Sequence, residues 1–92
     1  EQGSLHVIEL GPGRVASRIR LAGGAFGLAL GPDGTSLFVG LTTSGVVQVV
    51  NRTTRQVTAT IVTGGYPRGI AVHAASETVV VANELGWVDL LR

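Results

Sequence analysis

Displaced by about 42 residues, this sequence matches itself along most of its length. Gly3 falls on Gly45, Val7 on Val49, Val15 on Val57 and Ile19 on Ile61; Gly23 falls on Gly65, Gly27 on Gly69, Ala29 on Ala71 and Val39 on Val81. Other pairs are conservative: Leu5 with Val47, Ile8 with Val50, Leu28 with Ile70, Leu30 with Val72, and Leu37 with Val79. After the loss of one residue the match resumes, with Gly45 on Gly86 and Val49-Val50 on Leu90-Leu91. A repeat of this length describes a supersecondary unit that buries its apolar surface only against copies of itself.

Each unit reads as four short strands, A to D. Strand A covers residues 26–30 and again 69–72, and strand B residues 36–40 and 78–82. Strand C occurs three times, at 4–9, 46–51 and 87–91, and strand D at 15–21 and 57–62. The 14 glycines and the abundance of valine, isoleucine and threonine favour such strands between tight turns over helices.

Strand B is continuously apolar (Leu37-Phe38-Val39; Val79-Val80-Val81), as a strand covered on both faces must be. Strand D alternates, with Val57, Ala59 and Ile61 expected on one face and Thr58 and Thr60 on the other. Its earlier copy sets Val15, Ser17, Ile19 and Leu21 against Ala16, Arg18 and Arg20. That is the pattern of a half-exposed outer strand, whose charge also discourages strand addition. Strand A offers glycine and alanine on one face (Gly27, Ala29; Gly69, Ala71), which suits a crowded inner strand. Strand C carries one polar residue at a fixed place: His6, Gln48, Asp89. Gly31-Pro32-Asp33-Gly34 supplies a tight A–B turn. His73-Ala74-Ala75-Ser76 is its weaker counterpart. The expected fold is all-β: β-propeller blades, four-stranded and antiparallel, about two blades plus one extra strand.

Residues 60–72, Thr-Ile-Val-Thr-Gly-Gly-Tyr-Pro-Arg-Gly-Ile-Ala-Val, followed by Val79-Val80-Val81-Ala82-Asn83, resemble the YVTN-type β-propeller repeat. Residues 26–34 followed by Leu37-Phe38-Val39-Gly40 resemble the same stretch, and NHL-type and quinoprotein-like repeats share much of it. The first copy departs from the pattern by ending its B strand in Gly40-Leu41. The resemblance implies a ring of about six to eight blades, frequent on secreted or surface-exposed proteins. It implies no single activity.

The chain divides as residues 1–22 (strands C–D of a partial blade), 23–63 (one full blade) and 64–92 (strands A–C of a next blade). Two blades do not close a ring, and an open pair leaves large apolar faces in water. The expected partners are further propeller blades, from three or four identical copies or from the rest of a longer chain. Identical copies meet head to tail. The third C strand fits a fragment better than a simple ring-former.

Other classes are thinly supported. The net charge is +1, and the arginines form no basic patch of the kind nucleic acid needs; Arg14, Arg18 and Arg20 read as one exposed strand face. The longest apolar run, residues 79–82, is far short of the roughly 20 residues of a membrane helix, and no signal-peptide pattern is present. There is no cysteine or methionine, and His6 and His73 stand about a repeat and a half apart and form no cluster of ligands of the kind a zinc site needs, so no metal site or cofactor is expected. Ser4, Ser17, Ser36, Ser44 and Ser76 lack a local activating signature. Gly23-Gly24 and Gly64-Gly65 precede strands, whereas a phosphate loop precedes a helix. Asp33 alone offers too few oxygens for calcium. Asn51-Arg52-Thr53 is a short glycosylation sequon on an outer loop, and Trp87 is expected in inter-blade packing.

The loops before strand A and after strand B lie at one end of a propeller, around its channel. Here they carry Tyr66, Arg68, Asn83 and Glu84, the candidate ligand-binding residues; an ordinary solvated Arg–Glu pair is the plainer explanation. The earlier repeat has Gly24, Phe26, Leu41 and Thr42 there. The expected function is a non-enzymatic binding or scaffolding module. The alternatives are the propeller portion of a cofactor-dependent oxidoreductase whose ligands lie outside the chain, and a designed or evolved repeat with no ligand.

Overall fold

A computed structural model describes residues 3–73, 75 and 78–91. Nine strands are described: β1 (Gly3–Glu9), β2 (Arg14–Leu21), β3 (Ala25–Leu30), β4 (Ser36–Leu41), β5 (Val46–Asn51), β6 (Gln56–Val62), β7 (Pro67–His73), β8 (Thr78–Asn83) and β9 (Trp87–Leu91). They form three antiparallel sheets, ordered β1-β2, β3-β4-β5-β6 and β7-β8-β9. These are propeller blades, one with four strands between two shorter ones. Each strand begins and ends within one or two residues of its expected place. Ala74 and Ser76 of the second A–B turn lie outside the described residues.

The repeat extends to the irregularities. β1–β2 shifts register between Val7 and Ile8, and β5–β6 between Val49 and Val50, one repeat on. Likewise β3–β4 shifts between Ala25 and Gly27, and β7–β8 between Pro67 and Gly69, leaving Phe26 and Arg68 as the extra residues. The outer bulges correct the alternation expected of strand D. Val57 pairs with Val50 while Ala59 pairs with Val49, so Val57 shares Val50's face and not that of Ala59 and Ile61. Val15, paired with Ile8, is displaced from the face of Ser17 and Ile19 in the same way. One inserted residue reverses the period-2 pattern beyond it.

Two apolar layers hold the three sheets together. Ile19 and Leu21 of the first sheet pack with Val39, Leu41 and Val50 of the middle one. On the other side, Val47 of the middle sheet packs with Val79 and Val81 of the last, joined by Phe38, Ile61, Ile70 and Val72. The middle blade is thus covered on both faces, which explains its continuously apolar B strand. Val39, Leu41, Val47, Val50 and Val81 are fully buried. Each contributes on the order of 1.5–3 kcal/mol relative to exposure.

Gln48, 7% exposed, sits inside the first layer. Its Oε1 accepts from the Ala22 backbone N–H at 3.0 Å, and its Nε2 donates to Thr60 Oγ1 at 3.0 Å. The buried amide is therefore paired at both ends and ties the link between sheets to the middle blade. His6 and Asp89 hold the same place in their sheets but bond locally, to Ser4 Oγ at 3.2 Å and Trp87 Nε1 at 3.1 Å.

Inner strands of successive blades approach closely at Gly27. A methyl there would run into the Arg68 carbonyl oxygen and meet Ile70 Cγ1 at 3.5 Å. This is the physical reason for a small residue in strand A. The A–B turn is built as its sequence predicts, with Gly34 at φ 73°. Asp33 Oδ1 accepts from the N–H groups of Thr35 and Ser36 at 2.9 Å, and Ser36 Oγ donates to Oδ2 at 2.9 Å.

Candidate binding surface at the strand-end loops

Tyr66, Arg68, Asn83 and Glu84 are brought together by the start of β7 and the end of β8. Pairing of Pro67 with Asn83 sets the two loops side by side. The Glu84 N–H donates to the Tyr66 carbonyl at 2.9 Å, which extends the ladder beyond the strands.

Asn83 shapes this surface from below. It is 6% exposed, and its Oδ1 accepts from the Tyr66 N–H at 3.0 Å and the Leu85 N–H at 3.2 Å. Its Nδ2 donates to the Gly64 carbonyl at 2.8 Å. One side chain thus satisfies three backbone groups of the two loops. Gly65, at φ 59°, lies so close that a Cβ would collide with the Asn83 amide oxygen. The equivalent of Asn83 in the earlier repeat is Leu41, fully buried. There Thr42 Oγ1 donates to the Pro67 carbonyl at 2.9 Å and ties the two blades at the same level.

Arg68 and Glu84 point outward. Arg68 Nε lies 2.8 Å from Glu84 Oε2, both side chains being 47% exposed. The guanidinium carbon also stands 4.5 Å from the centroid of the Phe26 ring. Phe26 is 65% exposed and Tyr66 43%. The result is an exposed cluster of one aromatic ring and one ion pair, with the arginine fixed by a carboxylate and a ring face. A ring and an ion pair set side by side in this way suit recognition of polar or aromatic groups. Phe26 was legible only as the repeat partner of Arg68; nothing in its own surroundings in the sequence marks it.

Elsewhere the candidates stay apart. Among the described residues no three His, Asp or Glu side chains gather to hold a metal ion. Trp87 is 43% exposed at the start of β9, at the rim and not within an inter-blade layer. Asp33 has its carboxyl held below the usual carboxylate range by the backbone N–H groups of Ser36 and Thr35 and the Ser36 hydroxyl. An open cavity of about 380 Å³ lies on the outer face of the first sheet, lined by Gly3, Ser4, Arg18 and Arg20. Its arginines are the alternating charges of strand D; the hollow itself left no sequence signal.

No protein-family model and no curated protein matches the chain. A chain of Kuenenia stuttgartiensis hydrazine synthase is similar in structure, with a TM-score of 0.86 and 25% sequence identity over 96% of this chain. The present chain spans 26% of that one's length.

Proposed function

We propose that this chain is a segment of a closed β-propeller of the YVTN repeat type and serves as a non-enzymatic binding or scaffolding module. Its binding end is the loop surface of Tyr66, Arg68 and Glu84, with Asn83 as the clamp that shapes it. The observation that carries this reading is the blade packing, which repeats from sheet to sheet and stops with apolar residues bare at both ends. Leu28 and Leu30 are 54% and 46% exposed on one side, and Val88 and Leu90 59% and 56% on the other. Exposed apolar area of this kind marks an interaction surface. The likeness to a quarter of a longer chain supports a place among further blades.

A second reading has one observation in its favour: the similar chain belongs to a protein named for a synthase activity. In it, this segment is the floor of a cofactor-dependent oxidoreductase, and ligating residues come from outside the chain. A visible-range absorption spectrum of the protein purified from its native source distinguishes the two. A spectrum without cofactor bands supports the binding module. A stoichiometric haem or quinone band overturns it in favour of the enzyme.

A further inference from the structure

The hollow on the first sheet is lined by two arginines that no described residue neutralises. Ser4 lies opposite Arg20 and His6 opposite Arg18, so these four residues share one face of the β1–β2 pair. The other face carries Leu5, Val7, Ile19 and Leu21 and packs on the middle sheet. Arg18 and Arg20 therefore stand on the same side of one strand, about 7 Å apart along it.

Like charges at this spacing repel, and an opposite charge across the pair would relieve them. The cross-strand places hold instead a hydroxyl and an imidazole, with Ser4 Oγ 3.2 Å from His6 Nε2. The carboxylates whose side chains are described are engaged elsewhere: Asp33 in its own turn, Glu84 with Arg68 and Asp89 with Trp87. The guanidiniums of Arg55 and Arg68 have protein partners, in Ser17 and in Glu84. Those of Arg18 and Arg20 have none among the described residues.

The exposure of these two arginines does not depend on what stands before β1. Thr60 and Val62 are their counterparts one repeat on, in a sheet that has β1 and β2 packed in front of it. Both are exposed all the same, Val62 by 80%. Strand D thus lies beyond the cover of a neighbouring blade, and a ligand reaches Arg18 and Arg20 from the rim.

We propose that Arg18 and Arg20 form an oxyanion site, separate from the loop surface, that holds a phosphate or sulfate group between their guanidiniums. Each guanidinium presents a fork of N–H donors that matches two oxygens of a tetrahedral anion, and charge-assisted bonds of this kind are stronger than neutral ones. The Ser4 hydroxyl, across from Arg20, is a further donor at the wall of the hollow. Binding also relieves the repulsion between the two arginines, so the anion stabilises the folded chain.

Titration of the isotope-labelled full chain with inorganic phosphate, followed by amide NMR at an ionic strength held constant with sodium chloride, tests the site. Saturable shifts are expected at Ser4, Arg18 and Arg20. Arg18→Gln and Arg20→Gln alter exposed side chains and should each weaken binding about tenfold, with circular dichroism unchanged. Arg18→Lys and Arg20→Lys keep the charge and lose the fork, so their affinities should fall between those of the parent and the glutamine variants. They decide the matter if a glutamine variant does not fold. Arg52→Gln removes an exposed charge from the outer turn of the middle sheet and should leave affinity as it was. A parallel titration with a hexose phosphate separates the free ion from an ester, the tighter of the two naming the form the site takes. Shifts that sodium chloride alone reproduces, shifts centred on other residues, or an affinity indifferent to the Arg18 and Arg20 substitutions each overturn the proposal.

Discussion

The Arg68 guanidinium carbon lies 4.5 Å from the centroid of the Phe26 ring, and the two residues hold the same place in successive blades. Each is the extra residue of a bulge in the inner hairpin of its blade. The bulge turns both side chains out of the regular pleat and toward each other across the inter-blade seam. A double-mutant cycle with Phe26→Ala and Arg68→Ala measures the contact by urea unfolding. At this exposure the coupling should be about 0.5–1 kcal/mol. Glu84→Ala should cost less than Phe26→Ala, since an exposed ion pair is worth about 0–1 kcal/mol.

Asn83 should prove the most sensitive of the loop residues. Asn83→Ala leaves the Tyr66 and Leu85 N–H groups and the Gly64 carbonyl without their partner. At roughly 1 kcal/mol for each lost bond, a destabilisation of about 2–3 kcal/mol is expected. Asn83→Asp keeps the acceptor and loses the donor, so it should fall between the parent and the alanine variant in the same unfolding series.

Gly27→Ala should destabilise by about 1–3 kcal/mol through overpacking, since the new methyl meets the Arg68 carbonyl. Gly11→Ala is the control: no atom lies within 4 Å of a Cβ there, and its midpoint of unfolding should move little.

The A–B turn makes a pH prediction. The Asp33 carboxyl is held below its ordinary value of 3.8 by hydrogen bonds from Ser36 and Thr35. A depressed folded-state pKa gives stability that is present above the unfolded value and is lost as pH falls through the folded one. The unfolding midpoint should therefore drop as pH is lowered below 3.8. In Asp33→Asn that drop should be smaller, which parallel melts of the two proteins across the acid range would reveal.

Most of the fold was legible because a repeat tests every assignment against a second copy. Strand C could be placed at residues 46–51 and confirmed at 87–91, and Gly31-Pro32-Asp33-Gly34 declares its turn through φ preferences alone. The bulges were not legible. Val57-Thr58-Ala59-Thr60-Ile61 alternates without a break, and the extra residue shows only once Val49 and Val50 are seen opposite Ala59 and Val57. Of the candidate site, Arg68 and Glu84 could be paired from the repeat. The clamp made by Asn83 depends on where the Gly64-Gly65 loop folds back, and the Phe26 contact on the close approach of two inner strands. Both are properties of the seam between blades, which no single repeat encodes.

Every hydrogen-bonded strand pair described joins strands consecutive in the chain. Loop-closure entropy is therefore small for each hairpin, and no sheet waits for a distant segment before it can form. Each hairpin in such a chain can form from local contacts alone, and the contacts of longer reach are those made when one sheet docks on the next. The apolar layers at Val39 and Val47 then govern how quickly the molecule becomes rigid, while the hairpins govern only how quickly it becomes β.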